Sequence, residues 1–265
     1  MAAIQSPKSQ YQQVADLLRG RIADGTYSAD QPLPSEPQLS AELGVSRQTI
    51  NRAINVLRNA GLVRVRRGFG TFIRGVPQVT RDAKKRYAAR NQGTGAGDVE
   101  IKALGLTPRT EYVEIGRVPA PPGVADVLRI EVDAPVLVRR RRLFANDEPT
   151  QLADSFIPWD IAEGAPELLK RDVGRGGSYT RLAELGHGPV RFTEEVTVRT
   201  ATEDEAQLLE LDGGQPVIDI THIAWDAADR AVEVALHVMP GNLWRLRYDW
   251  DDPTADEYPT ADGDA

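Results

Sequence analysis

Cysteine is absent from all 265 residues, and histidine occurs only three times, at His187, His222 and His237. The first absence excludes disulfides, thiol chemistry and cysteine-ligated zinc, and three scattered imidazoles give no reason to expect a metal site. No run of about 18 apolar residues occurs, and Met1 to Gln10 lacks the apolar core of a secretory signal. The chain is therefore expected to be cytoplasmic, with no membrane partner. No nucleophile elbow, phosphate loop or metal cluster is visible, so neither a catalytic residue nor a cofactor is expected.

What is present is enough apolar sequence, 41% of the residues, for two modest cores. The charges are split between them. Residues 1–90 hold 15 Lys+Arg against 6 Asp+Glu, and the remainder holds 17 against 33, so a balance of +9 precedes one of −16. Phosphate backbones reward local positive charge, so the acidic whole does not argue against a DNA-binding first part.

Helical spacing of Val14, Leu17, Leu18 and Ile22 predicts a first helix over Tyr11 to Ala23. Pro34, Ser35 and Glu36 open a short second helix that ends at Gly44, and Ser46 can cap a third running to about Ala60. Leu62 to Arg66 and Thr71 to Arg74 read as strands around Arg67-Gly68-Phe69-Gly70, a hairpin with basic shoulders. In the third helix Ile50, Ala53, Ile54 and Leu57 form the apolar stripe, which leaves Ser46, Arg47, Gln48, Asn51, Arg52 and Asn55 on the opposite side. Arginine can fork onto guanine, and Gln and Asn can pair with adenine. A serine at a helix start can hold a phosphate. The expectation is a winged helix-turn-helix over 1–75, a linker over 76–97, a second domain over 98–250 and an acidic disordered tail over 251–265.

In the second domain Val99 to Leu104, Val136 to Phe144, Val190 to Arg199, Pro216 to Trp225 and Ala231 to Met239 read as strands. Ala165 to Arg171, Tyr179 to Gly186 and Glu203 to Leu211 read as helices, which together suggest an α+β domain around an antiparallel sheet. Along Val136 to Phe144, alternation puts Arg140 and Arg142 on one face and Arg139 and Arg141 on the other. One pair can line a pocket; a solvated arginine row is an equal alternative. A centred hairpin of Pro216–Trp225 with Ala231–Met239 puts Ile218, Ile220, Val234, Leu236 and Val238 on a core face. Asp219, Thr221, Glu233 and His237 then share the other face, either in a pocket or as exposed cross-strand pairs.

Leu33-Pro34-Ser35-Glu36, Leu39, Gly44-Val45-Ser46-Arg47-Gln48-Thr49, Arg52-Ala53, Leu57, Ala60-Gly61-Leu62-Val63 and Gly68-Phe69-Gly70-Thr71-Phe72 closely resemble the head of the GntR family of bacterial regulators. That resemblance implies that Ser46, Arg47, Gln48 and Thr49 begin the recognition helix and that Gly68 and Gly70 shape the wing; with the side-chain chemistry above, DNA contacts are expected from Ser35, Ser46, Arg47, Gln48, Thr49, Asn51, Arg52, Arg66 and Arg67. Many members carry an arginine directly after Pro-Ser-Glu, where this chain has Pro37. Glu100 to Gly105, Arg139 to Arg142, Asp147-Glu148-Pro149, Asp154 to Pro158, Leu182 to His187, Thr193-Glu194-Glu195 and Val232-Glu233-Val234 resemble the UTRA domain of the HutC subgroup, whose fold also occurs in a chorismate-lyase-like enzyme.

The second resemblance implies a homodimer and a small-molecule effector held by Arg140, Arg142, Ser178 and Glu233, and His237, on the same strand face as Glu233, is expected beside them. Ser178 would suit an ordinary helix cap equally well, and the Gly95 to Asp98 amides can meet an anion. Ala153 and Met239 stand where some sugar-phosphate binders have an acidic residue and a tyrosine, so a sugar phosphate is not implied. The expected function is a transcriptional regulator, in the family's usual pattern a repressor relieved by ligand, on a near-palindromic operator in double-stranded DNA. Two alternatives are a second domain that only dimerises, which would have a filled core, and a lyase-like enzyme fused to a DNA-binding head.

Overall fold

A computed structural model describes residues 8–29, 31–66, 68–89, 96–211 and 214–251. The head holds α1 (Gln10–Ala23), α2 (Glu36–Leu43) and α3 (Arg47–Asn59), followed by the antiparallel wing strands β1 (Val63–Arg66) and β2 (Gly70–Ile73). Ser35 caps α2 and Ser46 caps α3, each in extended backbone, and Gly44 ends α2 at φ 64°, the left-handed region that favours glycine. The apolar stripe of α3 meets Val14, Ala15, Leu18, Leu33, Leu39, Val63 and Ile73 in one core. The head thus folds as expected.

Residues 76–97, expected as a linker, contain structure instead: β3 (Val79–Asp82) and α4 (Ala83–Ala89). Strand β3 pairs in parallel with a C-terminal strand, β10 (Trp244–Arg247), and Val76 and Val79 are buried with Ile101, Leu243 and Trp244. Burial of these two valines is what converts the segment from tether to wall. The span Val99 to Leu104, expected extended, belongs to α5 (Ala96–Ala103). Its Val-Glu-Ile-Lys alternation mimics a strand, but Glu100 is buried and ion-paired with Arg86 of α4 at 2.9 Å, which only a helix packed on α4 accommodates.

The second domain is built on a six-stranded antiparallel sheet. In chain order its strands are β4 (Pro108–Pro119), β5 (Pro135–Ala145), β6 (Glu148–Pro158), β7 (Arg191–Thr200), β8 (Pro216–Trp225) and β9 (Ala231–Pro240), arranged β4-β5-β6-β9-β8-β7. Helix α6 (Pro122–Leu128) covers one face, where Val124, Ala125 and Leu128 meet Val136, Val138, Phe156, Ile223 and Val234. On the other face α7 (Trp159–Ala162), a 3-10 turn at Pro166–Leu169 and α8 (Gly177–Glu184) cover Leu137, Ile157, Ala224 and Val232 at one end. The unit of β3, β10 and α5 covers Ala145, Ile220 and Met239 at the other end. Helix α9 (Glu203–Leu208) joins β7 to β8. Among the described residues no helix is long and apolar enough to cross a membrane.

Candidate functional site

Helix α3 keeps Arg47, Gln48, Asn51 and Arg52 exposed, with Thr49 half-buried. Ser46 Oγ accepts the Thr49 N–H at 3.1 Å, which holds the first turn in place. Neither Arg47 nor Arg52 has an ion-pair partner among the described residues, so both guanidiniums are available. Asn51 is less so: its Nδ2 donates to Glu36 Oε1 at 2.8 Å and its Oδ1 accepts from Asn55 at 3.1 Å. Ser35 is committed to its own helix, since its N–H and hydroxyl both donate to Gln38 Oε1 at 2.8 and 2.7 Å. At the wing, Gly68 and Gly70 take φ of 83° and 115°, left-handed backbone that only glycine adopts without strain. They present Phe69, 77% exposed, at the tip. The Arg66 side chain and Arg67 lie outside the described residues.

The second site lies on the sheet face that the two apolar clusters leave uncovered between them. Each crossing strand changes there from apolar to polar: Leu137 gives way to Arg139 and Arg141 on β5, Ile157 to Ser155 and Gln151 on β6, and Ala224 to His222 on β8. With Glu233 and His237 of β9, Tyr112 of β4, the loop 171–178 and Tyr179, these residues line a cavity of about 430 Å3. Arg81 and Arg86 form its far wall.

Of the expected effector residues the cavity gathers Ser178, Glu233 and His237, but not Arg140 or Arg142. Arg140 is on the opposite face, tied to Glu114 and Asp154 at 2.9 and 2.8 Å, and Arg142 is paired with Glu210 at 3.4 Å. The parity is set by Leu137, which points into the cavity-side cluster while Val136 and Val138 point to the other. Counting by twos from Leu137 reaches Arg139 and Arg141.

The second misplacement concerns β8. A bulge between Ala224 and Trp225 moves the register by one, so His222 pairs with Ala235 and Ile220 with His237. Asp219 and Thr221 therefore face away, and His222 takes their expected place. Ser178 is not the helix cap; Gly176 is, at φ 84°, and a Cβ there would stand 2.0 Å from Thr180 Oγ1. Asp98 reaches the cavity, whereas Gly95 lies outside the described residues.

Arg139, only 2% exposed, donates to the main-chain carbonyls of Leu168, Lys170 and Arg171, the latter two at 2.7 and 3.2 Å. Burial lowers its pKa, partly opposed by the Tyr112 ring beside it. Arg141 donates to Ser155 Oγ at 2.5 Å. Among the described residues neither arginine has a carboxylate partner.

Arg81 is instead neutralised by a bidentate pair with Glu194, which also takes hydrogen bonds from Tyr248 at 3.0 Å and contacts His222 Nδ1 at 3.2 Å. Burial alone would raise the Glu194 pKa, but the bonds from His222 and Arg81 and the Arg81 charge hold it well below the usual carboxylate range. Tyr179 hydroxyl meets His222 Nε2 at 3.1 Å, and Phe192 stacks on the same ring. Arg81 and Arg86 were hidden in the expected linker, and Tyr179 and His222 had no spacing to mark them. Histidine scarcity was the available signal, since two of the three line this one cavity.

His237 is neutral. Burial pushes its pKa well below 6.5, and the Arg81, Arg86 and Arg141 charges add to the shift. The Gln151 side-chain amide hydrogen-bonds its Nδ1 at 2.8 Å. Below pH 6.5 the unfolded chain takes up a proton that the folded chain refuses, so stability is full above that pH and falls as pH drops beneath it. The slope from this group reaches at most about 1.4 kcal/mol per pH unit. Urea denaturation from pH 7 to pH 5 should show a flatter profile for His237→Gln than for the wild type, and equal slopes would exclude His237 as the source.

Comparison with known proteins matches residues 10–73 to the gntR family of bacterial regulatory proteins and residues 103–245 to the UTRA domain. The chain is 30% identical to the histidine utilization repressor of Pseudomonas aeruginosa, over 91% of this chain and 90% of that protein. It is 27% identical to the HTH-type transcriptional repressor NagR of Bacillus subtilis, over 91% and 94%. Among solved structures, a GntR-family transcriptional regulator superposes with TM-score 0.58 at 27% identity, covering 92% of this chain and 98% of the other. PhnF from Mycobacterium smegmatis, at TM-score 0.56 and 23% identity over 90% and 99%, shares the fold. The head, the sheet and the two matched regions together make this chain a member of the GntR family, a transcriptional regulator with a winged helix-turn-helix head and a UTRA domain rather than an enzyme.

Proposed function

We propose that the chain is a cytoplasmic repressor whose affinity for a near-palindromic operator is set by a small anionic effector in the UTRA cavity. The observation that carries this reading is a cavity of about 430 Å3 lined by Arg139 and Arg141 together with the buried Glu233. An arginine-lined wall, with Arg141 held by Ser155 and by no carboxylate at ion-pair distance among the described residues, favours an anion, and Glu233 favours a hydroxyl or amine donor on the same ligand. Ser178, Gly174, Gly176 and Gly177 border the same cavity. A module that only dimerises would fill this space with side chains.

Arg47, Gln48 and Arg52 are read as base-contacting groups, with Ser46, Thr49 and the wing residues Arg66, Arg67, Gly68 and Gly70 against the backbone. One short recognition helix reads too few base pairs for useful selectivity, so a homodimer with two heads on two half-sites is the matching assembly. Basic heads repel each other off DNA, which leaves the acidic domain as its interface. The test uses the duplex that the chain selects most tightly from a random pool, titrated in the presence of small carboxylates and phosphates. One of these anions should shift operator affinity by about 5- to 150-fold, and Arg141→Gln and Glu233→Gln should each abolish the shift while leaving ligand-free affinity nearly unchanged. Equal response in wild type and both variants would place the effector elsewhere.

A further inference from the structure

Glu210 sits at the seam between head and sheet. Helix α9 closes with the Leu211 N–H donating to Ala206 O at 2.8 Å, and Glu210 takes a left-handed φ of 51°. That turn projects its carboxylate toward two guanidiniums. Oε2 accepts from Arg64 of β1 at 3.2 Å, and Oε1 accepts from Arg142 of β5 at 3.4 Å. Around this point Gln215 Nε2 donates to the Arg58 carbonyl at the end of α3 at 3.4 Å, and Arg74 ion-pairs with Glu148 at 3.4 Å. Gly61 lies so close to Asn242 that a Cβ would stand 2.7 Å from its side chain. These contacts dock the head on the second domain.

We propose that Glu210 is an internal competitor of operator phosphate: it holds the wing arginine Arg64 in the docked arrangement, and the wing engages DNA only when Glu210 lets go. A carboxylate and a phosphate satisfy a guanidinium in the same way. The Arg64 side chain is only 16% exposed in the docked state, so it cannot serve both at once. The two Glu210 contacts are long and the carboxylate is 48% exposed, which makes them worth no more than a few-fold in an equilibrium constant. The Arg74–Glu148 pair, nearly buried on both sides, remains as the pivot. Strand β5 carries Arg139 and Arg141 into the cavity and Arg142 to the Glu210 carboxylate, so displacement of β5 by a ligand moves both.

This link to the cavity rests on the effector reading above, whereas the competition itself needs no effector and is tested without one. Affinity of the full chain for its tightest selected duplex is measured for wild type, Glu210→Gln, Arg64→Gln and the double variant. Release of the docked state should tighten binding by Glu210→Gln about two- to fivefold, and most of that gain should vanish in the Arg64→Gln background, because the freed Arg64 is the group that gains a phosphate. Glu210 is half exposed, so an unchanged Tm should accompany the substitution. Three results would overturn the assignment: a change under about twofold, weaker binding, or an equal gain in both backgrounds, which would reflect only the lost negative charge.

Discussion

Arg81→Met lowers the free energy of unfolding by about 3–5 kcal/mol, because it leaves a carboxylate buried without its cation. The Glu194 side chain, 8% exposed, lies between β7, β8 and the segment carrying Tyr248, and Arg81 meets both of its oxygens. Among the described residues His222 and Tyr248 also meet Glu194, and neither brings a permanent charge. The pH dependence follows with a definite sign. Glu194 has a folded pKa held below its usual 4.5, so its contribution is present above that value and is lost as pH falls through the folded range. Without Arg81 the folded pKa rises and the loss moves to higher pH. Replacing both partners, Arg81→Met with Glu194→Gln, should recover most of the stability, since no charge is then stranded. Urea denaturation of the three variants between pH 4 and pH 8 checks this, and a single-variant loss under about 1 kcal/mol, or a double variant no better than the single, would contradict it.

Arg81 also marks where sequence reading stopped. The head was legible because each of its signals is local: Ser35 and Ser46 cap, Gly44 stops, and Ile50, Ala53, Ile54 and Leu57 share one helical face. The cavity depends on distant partners. Strand β6 is covered on both faces, so Glu148 to Pro158 shows no alternation to betray it. Strand β3 spans only Val79 to Asp82 and is stabilised by β10, more than 160 residues later in the chain. The side of β5 that faces the cavity follows from where Leu137 packs, and the partners of Glu233 follow from one bulge in β8–β9. Periodicity reports which residues share a face; only packing reports which face is inside.

Arg47→Ala should weaken binding to the selected duplex by about 1–3 kcal/mol, roughly 5- to 150-fold, and relax the choice of base where Arg47 contacts it. Arg47 is the first residue of α3, exposed beside the Ser46 cap and without an ion pair among the described residues. A guanidinium there approaches DNA at the N-terminal end of the recognition helix, where base edges come within reach. Truncation to alanine leaves the helix intact, because the Ser46–Thr49 bond and the buried stripe do not involve it. The effect on binding then separates from any effect on folding. A phosphate contact behaves differently: it weakens all sequences about equally and reduces the salt slope by about one unit. Affinity measured between 50 and 200 mM salt on the selected duplex and on single-base variants decides between the two. Unchanged discrimination at every position, with a shallower slope, would move Arg47 from the bases to the backbone; unchanged affinity and slope would remove it from the interface and leave Gln48 and Arg52 as the exposed groups able to read sequence.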